Sequence, residues 1–384
     1  MGMKIMKAIK NIKLVGADGI KENQAVVFAE TIQEITAESR LGAGLEVIDG
    51  GGAFLSAGFI DLHIHGCAGH DVMDDDDQAL TVMAKQLVST GVTAFLPTTM
   101  TMEKMRIERA LERIKAAMTT EHGTGAKVLG ANLEGPFLNP QNKGAHDEHY
   151  VIPPDISFLQ PYLDVIRILT VAPEIEGALP FIQELAAAGI VVSIGHTMAS
   201  FSEAVQGIAA GASHVTHLFN AMTPLHHRQP GVVGAALGQA VTCELIADNI
   251  HVDPAVQLLT LKLKGLEQLV LITDAMRACL LADGTYDLGG LVVHVKNRAA
   301  RLENGSLAGS TLVLNQALRN FSTNTGLQPE QAVKLVTVNP ARILGLENRK
   351  GRIAPGFDAD LVLWDADFNI MMTFVTGDKV FTAS

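Results

Sequence analysis

Eight short apolar runs, each followed by a helix-like segment, dominate the middle of this 384-residue chain. The runs end near His63, Pro97, Glu134, Ala172, His196, His217, Asp248 and Asp274, at intervals of 34, 37, 38, 24, 21, 31 and 26 residues. The intervals have room for helices, and Asp76–Thr90, Glu103–Thr119, Glu176–Ala188 and Ser200–Ala210 carry helical patterning. Parallel strands need a crossover between them, and a helix is the usual one. Eight such units predict an α/β fold, a (β/α)8 barrel over residues 58–349. An open doubly wound sheet satisfies the same alternation, but no Gly-x-Gly-x-x-Gly turn follows the first strand.

The two ends of the chain differ from the middle. Lys4–Lys13, Gly19–Phe28, Ile32–Thr36 and Leu45–Asp49 read as short strands, as do Gly351–Ile353, Asp360–Trp364, Phe368–Val375 and Lys379–Thr382. Neither set is large enough for a stable sheet alone. They are expected to join as one small β-sandwich domain, residues 1–57 with 350–384.

Composition narrows the function. Lys plus Arg is 29 and Asp plus Glu is 41, so the net charge is 29 − 41 = −12, which argues against nucleic acid and anionic membranes as partners. Charged residues are only 18%, as suits a large interior and a buried subunit interface. Cys67, Cys243 and Cys279 are widely spaced and odd in number, which fits a reducing cytoplasm and packed thiols. The start, Met1 to Lys7, has no apolar run after it, so no signal peptide is expected, and no transmembrane helix. The Asp74–Asp77 run reads as a helix N-terminus, where acid suits the dipole.

A barrel places chemistry at the C-terminal ends of its strands. Phe59-Ile60-Asp61-Leu62-His63-Ile64-His65 ends the first strand, and residues two apart share a face, so His63 and His65 would grip a divalent metal together. Alone, the pair fits two incidental histidines equally well. Glu134 ends the third strand, where a carboxylate after an apolar run is costly unless paired or metal-bound; a loop carboxylate bonded to backbone is the plainer reading. His196 and His217 end the fifth and sixth strands, and Asp274 the eighth. Each is weak evidence singly. Six metal-ligand types at five strand ends point jointly to a divalent ion, one or two of Zn, Fe or Mn.

The chain resembles the amidohydrolase superfamily and, within it, the N-acetylglucosamine-6-phosphate deacetylase family. The segments that carry this are Ser56 to Gly66, Leu133-Glu134-Gly135-Pro136-Phe137, Lys143-Gly144-Ala145-His146, Gly195-His196-Thr197, His217-Leu218-Phe219-Asn220-Ala221-Met222, Leu271 to Ala275, Ser306-Leu307-Ala308-Gly309-Ser310 and Ala354 to Val362. The resemblance implies Glu134, His196 and His217 as principal metal ligands and Asp274 as the catalytic carboxylate. With His63 and His65 intact, a second ion is expected, Glu134 bridging. It implies that His146 assists catalysis and faces substrate with Ala145 and His251, that Asn220 and Ala221 support the phosphate end, and that Leu307, Ala308 and Gly309 line the sugar or acetyl side. It implies a homodimer in which Arg228 reaches the phosphate in the neighbouring active site; without it, His226-His227-Arg228 reads as a solvated loop. The implied reaction is metal-dependent hydrolysis of N-acetyl-D-glucosamine 6-phosphate to D-glucosamine 6-phosphate and acetate, in amino-sugar catabolism and recycling. A D-aminoacylase or adenine deaminase type of amidohydrolase would share the metal site, and a catalytically dead barrel scaffold would share the fold.

Overall fold

The computed structural model describes residues 5–16, 19–119 and 125–383. Met1–Lys4, part of the N-terminal run read above, lie outside them. The eight barrel strands are present: Phe59–Ile64, Val92–Thr99, Ala131–Glu134, Ile166–Val171, Val191–Ile194, His214–Val215, Thr242–Ile246 and Leu269–Ile272. Each pairs in parallel with the next. The eighth meets the first through the Ile64–Ala275 bridge, where the Asp274 N–H donates to the His63 carbonyl at 2.9 Å. The first two strands are buried along their whole length, as parallel strands covered on both faces must be.

Helices cover the outside much as the patterning predicts, with shifted ends. Ala79–Leu87 starts later than expected, Lys104–Thr119 and Ala178–Ala187 nearly coincide, and Phe201–Ala210 begins at a Ser200–Glu203 capping box. The acidic run precedes its helix instead of opening it: Asp74 pairs with Arg277 at 2.8 Å, Asp75 with Arg113 at 3.1 Å, and only Asp76 bonds into the helix entry, accepting the Gln78 N–H at 2.9 Å.

Strands from both termini form one eight-stranded sheet, with Leu361–Trp364 antiparallel to Glu46–Ala57 and Glu46–Ala57 parallel to Lys7–Gly16. Its inner face encloses a core of its own that includes Ile9, Val26, Phe28, Leu55, Leu361 and Phe374. Trp364 stacks on Phe54 and Phe368, ring centroids 4.6 and 4.9 Å away, and its indole N–H reaches Ser56 Oγ at 3.0 Å. Two expectations fail here. Gly351–Ile353 is irregular, because Lys350 beside it is drawn inward to two carboxylates. Gly19–Phe28 breaks into Gly19–Lys21 and Gln24–Phe28 at Asn23, whose φ is +57°.

One element goes unanticipated. A three-stranded antiparallel sheet, Gly284–Leu288, Leu291–Lys296 and Ala299–Leu302, follows the eighth barrel strand and leads back over the mouth.

Candidate active site

The predicted metal-ligand types converge into two buried groups. His63 and His65 bring their Nε2 atoms within 3.2 Å of each other. Asp274 Oδ1 lies 3.3 Å from His65 Nε2 and 3.6 Å from His63 Nε2. In the other group, Glu134 Oε1 lies 2.9 Å from His217 Nε2 and 3.1 Å from His196 Nε2, and those two nitrogens are 3.0 Å apart. The second Glu134 oxygen faces His65 Nε2 at 3.1 Å and His63 Nε2 at 3.5 Å. One carboxylate therefore spans both groups.

The outward ring nitrogens show what these clusters can hold. His63 Nδ1 sits 3.0 Å from Glu244 Oε2, His65 Nδ1 3.2 Å from the Thr98 carbonyl, and His196 Nδ1 3.2 Å from the Asn142 carbonyl. Those oxygens accept, so each Nδ1 carries its hydrogen, and each Nε2, once it gives up any proton of its own, presents a lone pair inward. Facing lone pairs repel unless a cation lies between them. Around a tetrahedral zinc with bonds of about 2.0–2.1 Å, ligand nitrogens lie roughly 3.3 Å apart. The donors and their spacing fit a divalent ion in each group.

Burial opposes charge throughout the cluster, and neighbours decide the outcome. Against that penalty, His63 and His196 hold the Glu134 carboxyl well below its usual range, and His65 and His63 hold Asp274 low. Glu134 and Glu244 carry His63 well above its ordinary value, and Asp274 and Glu134 carry His65 up to about 9. His146 goes the other way: burial, then the neighbouring His196, push it down to about 4. It is neutral at pH 7. Its Nδ1 accepts the Thr101 N–H at 3.1 Å, so Nε2 carries the hydrogen, 3.3 Å from Glu134 Oε2.

Backbone strain collects at the same strand exits. His196, His217 and Asp274 have φ of +47°, +29° and +48°, where side-chain-bearing residues are uncommon. Gly135, directly after Glu134, has φ +84°, and a Cβ there would sit 1.9 Å from Thr101 Oγ1, so only glycine lets the third strand turn away here.

The cluster forms the floor of a cavity of about 450 Å³. Of the residues expected to meet substrate, Ala145, His146, Asn220, Ala221, His251, Leu307 and Gly309 line it. Ala308 does not: its side chain is buried in the core and its N–H donates to the Ala300 carbonyl at 3.1 Å. Arg228 stands on an exposed loop, Nη1 2.6 Å from His227 Nε2, outside the lining of its own chain's cavity.

The amidohydrolase family model matches residues 54–380. The chain belongs to that family. It is 39% identical to an N-acetylglucosamine-6-phosphate deacetylase of Lysinibacillus sphaericus, over 96% of each chain. It is 40% identical to an N-acetylgalactosamine-6-phosphate deacetylase of Escherichia coli O157:H7, covering 84% of this chain and 86% of that one. It superposes with TM-score 0.89 and 30% identity on a mutant N-acetyl-D-glucosamine-6-phosphate deacetylase of Mycobacterium smegmatis in complex with N-acetyl-D-glucosamine 6-phosphate, covering 99% of this chain and 100% of that one.

Sequence reasoning overlooks two residues of this amidohydrolase's site. Arg301, on the inserted sheet, is the one Lys or Arg among the described residues that line the cavity. Nothing in the sequence sets it apart from a solvated hairpin charge. Glu244 is wholly buried behind His63; a carboxylate inside the apolar run Cys243-Glu244-Leu245-Ile246 was its signal. All three cysteines are buried, and burial pushes the Cys243 thiol up to about 12, so it stays inert. Among the described residues no helix is long and apolar enough to cross a membrane.

Proposed function

We propose that this amidohydrolase removes the acetyl group of N-acetyl-D-glucosamine 6-phosphate, releasing D-glucosamine 6-phosphate and acetate, in the cytoplasmic catabolism and recycling of amino sugars. The observation that carries the reading is the convergence of Asp274, the His146 Nε2–H and the Glu134-bridged ligand groups on one cavity wall.

The residues divide the work. When bound, a divalent ion held by Glu134, His196 and His217, with a second at His63, His65 and Asp274, supplies a Lewis acid for the acetyl carbonyl and brings the ionisation of water near pH 7. Neutral imidazole and carboxylate donors suit Zn, Fe(II) or Mn. Asp274, held ionised, takes the proton of the attacking water. It then delivers that proton to the amide nitrogen as the C–N bond breaks, since an amide nitrogen leaves poorly unprotonated. His146, neutral and with its hydrogen on Nε2, donates to the acetyl oxygen as negative charge gathers there. Asn220, Ala221, His251, Leu307 and Gly309 hold the sugar so that the acetamide meets these groups.

A phosphate dianion in a cavity floored by two carboxylates needs a positive partner. Arg301 is placed for this within the chain. The reading assigns Arg228 to the same phosphate from a second copy in a homodimer; Leu225 beside its loop, 56% exposed, supports a partner surface there.

The C4 epimer, N-acetyl-D-galactosamine 6-phosphate, is a second reading, favoured by the 40%-identical galactosamine relative. The test is acetate release from both phosphorylated sugars and from unphosphorylated N-acetylglucosamine, with metal content measured on the same sample. Release from N-acetylglucosamine 6-phosphate that is fastest among the three and lost on chelation is expected. No release from a metal-loaded sample transfers the reading to another amidohydrolase, of D-aminoacylase or adenine deaminase type.

A further inference from the structure

Glu244 takes no part in the chemistry above, yet it is wholly buried in the seventh barrel strand and makes three polar contacts there. Its Oε2 lies 3.0 Å from His63 Nδ1 and accepts the His217 backbone N–H at 3.1 Å. Its Oε1 lies 3.3 Å from His214 Nε2, and His214 Nδ1 is 2.6 Å from Thr242 Oγ1. The carboxylate thus reaches a ligand side chain of one metal group and the backbone of a ligand of the other.

We propose that Glu244 is a positioning residue for the second metal ion: it holds His63 with the hydrogen on Nδ1, so that Nε2 joins His65 and Asp274 as a ligand. The argument is geometric. An imidazole can present Nε2 as a lone pair only if Nδ1 keeps the hydrogen, and it keeps it best where a strong acceptor stands opposite. For His65 and His196 that acceptor is a backbone carbonyl, which any sequence would supply. For His63 it is a side-chain carboxylate, a stronger acceptor that also raises the donor strength of the ring. A carboxylate this deep in a barrel is costly to bury, and its donors come from two other strands, His63 from the first and His214 and His217 from the sixth and its end. The His217 contact gives Glu244 a hold on both groups. The His63, His65 and Asp274 group is therefore built for occupancy and is not an idle neighbour of the first.

The inference rests on reading both clusters as metal sites, and the test separates the two. Metal-free protein is titrated with Zn²⁺ by calorimetry, and bound zinc is counted. The unsubstituted chain should take two ions. Glu244→Gln, which keeps the volume, should lose roughly 10–100-fold in affinity for one ion and little for the other, with its melting transition kept. Equal affinities in variant and parent overturn the proposal. A parent that binds one ion overturns the proposal alone, whereas a parent that binds none overturns the metal reading itself. If Glu244→Gln does not fold, histidine 15N spectra of the zinc-loaded parent decide: the hydrogen on His63 Nδ1 supports the proposal, and the hydrogen on Nε2 overturns it.

Discussion

Two clusters of buried charge sit at opposite ends of this barrel, and they are neutralised differently. At the C-terminal mouth, Glu134 and Asp274 lie among His63, His65, His146, His196 and His217, and among the described residues no Lys or Arg bonds to either carboxylate. At the N-terminal end, beside Gly58 where the first strand begins, Lys350 lies 2.8 Å from Asp358 and 2.5 Å from Asp360, and Arg349 bonds Asp358 at 3.1 Å. The lower cluster carries its own cations and closes the seam with the terminal sheet: the Gly58 N–H donates to the Asp360 carbonyl and the Thr376 N–H to Asp360 Oδ1, each at 2.8 Å. The upper one leaves its charge to be met from outside. A buried cluster that supplies its own counter-ion serves the fold, whereas one that withholds it serves a ligand. Barrels divide the same way, function at the top and stability at the bottom.

The largest expected effect breaks the comparison at the mouth. Asp274→Asn should lower kcat by about 10²–10⁴-fold, the range for losing a general acid–base. The ion at Glu134, His196 and His217 should stay, and so should the melting temperature. Steady-state rates and metal content check this, and a parent-like rate removes Asp274 from proton transfer.

Lys350→Met tests the other end. Removing one partner of a buried ion pair costs about 3–5 kcal/mol, because the remaining charges are left uncompensated. Denaturant unfolding should show a loss of that order, while the folded variant keeps its kcat, since Lys350 lies across the barrel from the cavity. A loss below about 1 kcal/mol would place this cluster with ordinary surface pairs.

Next in size is charge at the rim. Arg301→Ala and Arg228→Ala should each raise KM for the phosphorylated sugar by roughly 10–100-fold, the worth of a hydrogen bond to a charged group. KM for unphosphorylated N-acetylglucosamine should change far less. Equal effects on both sugars would take that arginine away from the phosphate.

The two clusters were unequally legible in the sequence. The upper one could be read because each ligand ends an apolar strand: His63, Glu134, His196, His217 and Asp274 interrupt runs whose burial needs no polar residue. What supports those ligands was harder to see. Glu244 sits inside a strand whose partners, His63 and His214, lie 181 and 30 residues away. Arg301 reaches the cavity only because three short strands, Gly284–Leu302, bend back over the mouth; the middle one, Leu291–Lys296, has three exposed residues and carries little hydrophobic signal. In the lower cluster, Lys350 was hidden by the opposite error: Gly351–Ile353 looks like a strand, and the ion pairs that replace strand pairing there join residues eight and ten apart.

The smallest expected effect is a proton count. Burial works against charge on His65, but Asp274 and Glu134 outweigh it and lift the metal-free ring from 6.5 to about 9. A histidine raised in this way stabilises the metal-free fold fully below its unfolded value, and that contribution is lost as pH rises through about 9. A metal ligand must be neutral, so loading the site at pH 7.5 expels the proton. The seam behaves otherwise. Against burial, Asp360 and Asp358 hold Lys350 above 10.5, so its contribution is complete below that value and is lost only as pH rises past its folded value. Asp358, held below 3.8 by Lys350 despite burial, contributes above that value and loses its contribution as pH falls through its lowered one. Between about pH 5 and 9.5 Lys350 and Asp358 should exchange no protons. Calorimetric loading of the metal-free chain at pH 7.5, in two buffers of different ionisation enthalpy, should therefore release about one proton or more per chain, and Lys350→Met should leave that number unchanged. No release would mean that His65 is already neutral without an ion. The upper carboxylates would then lack even the His65 proton as a counter-charge, and the contrast with the lower cluster and its Lys350 would be sharper.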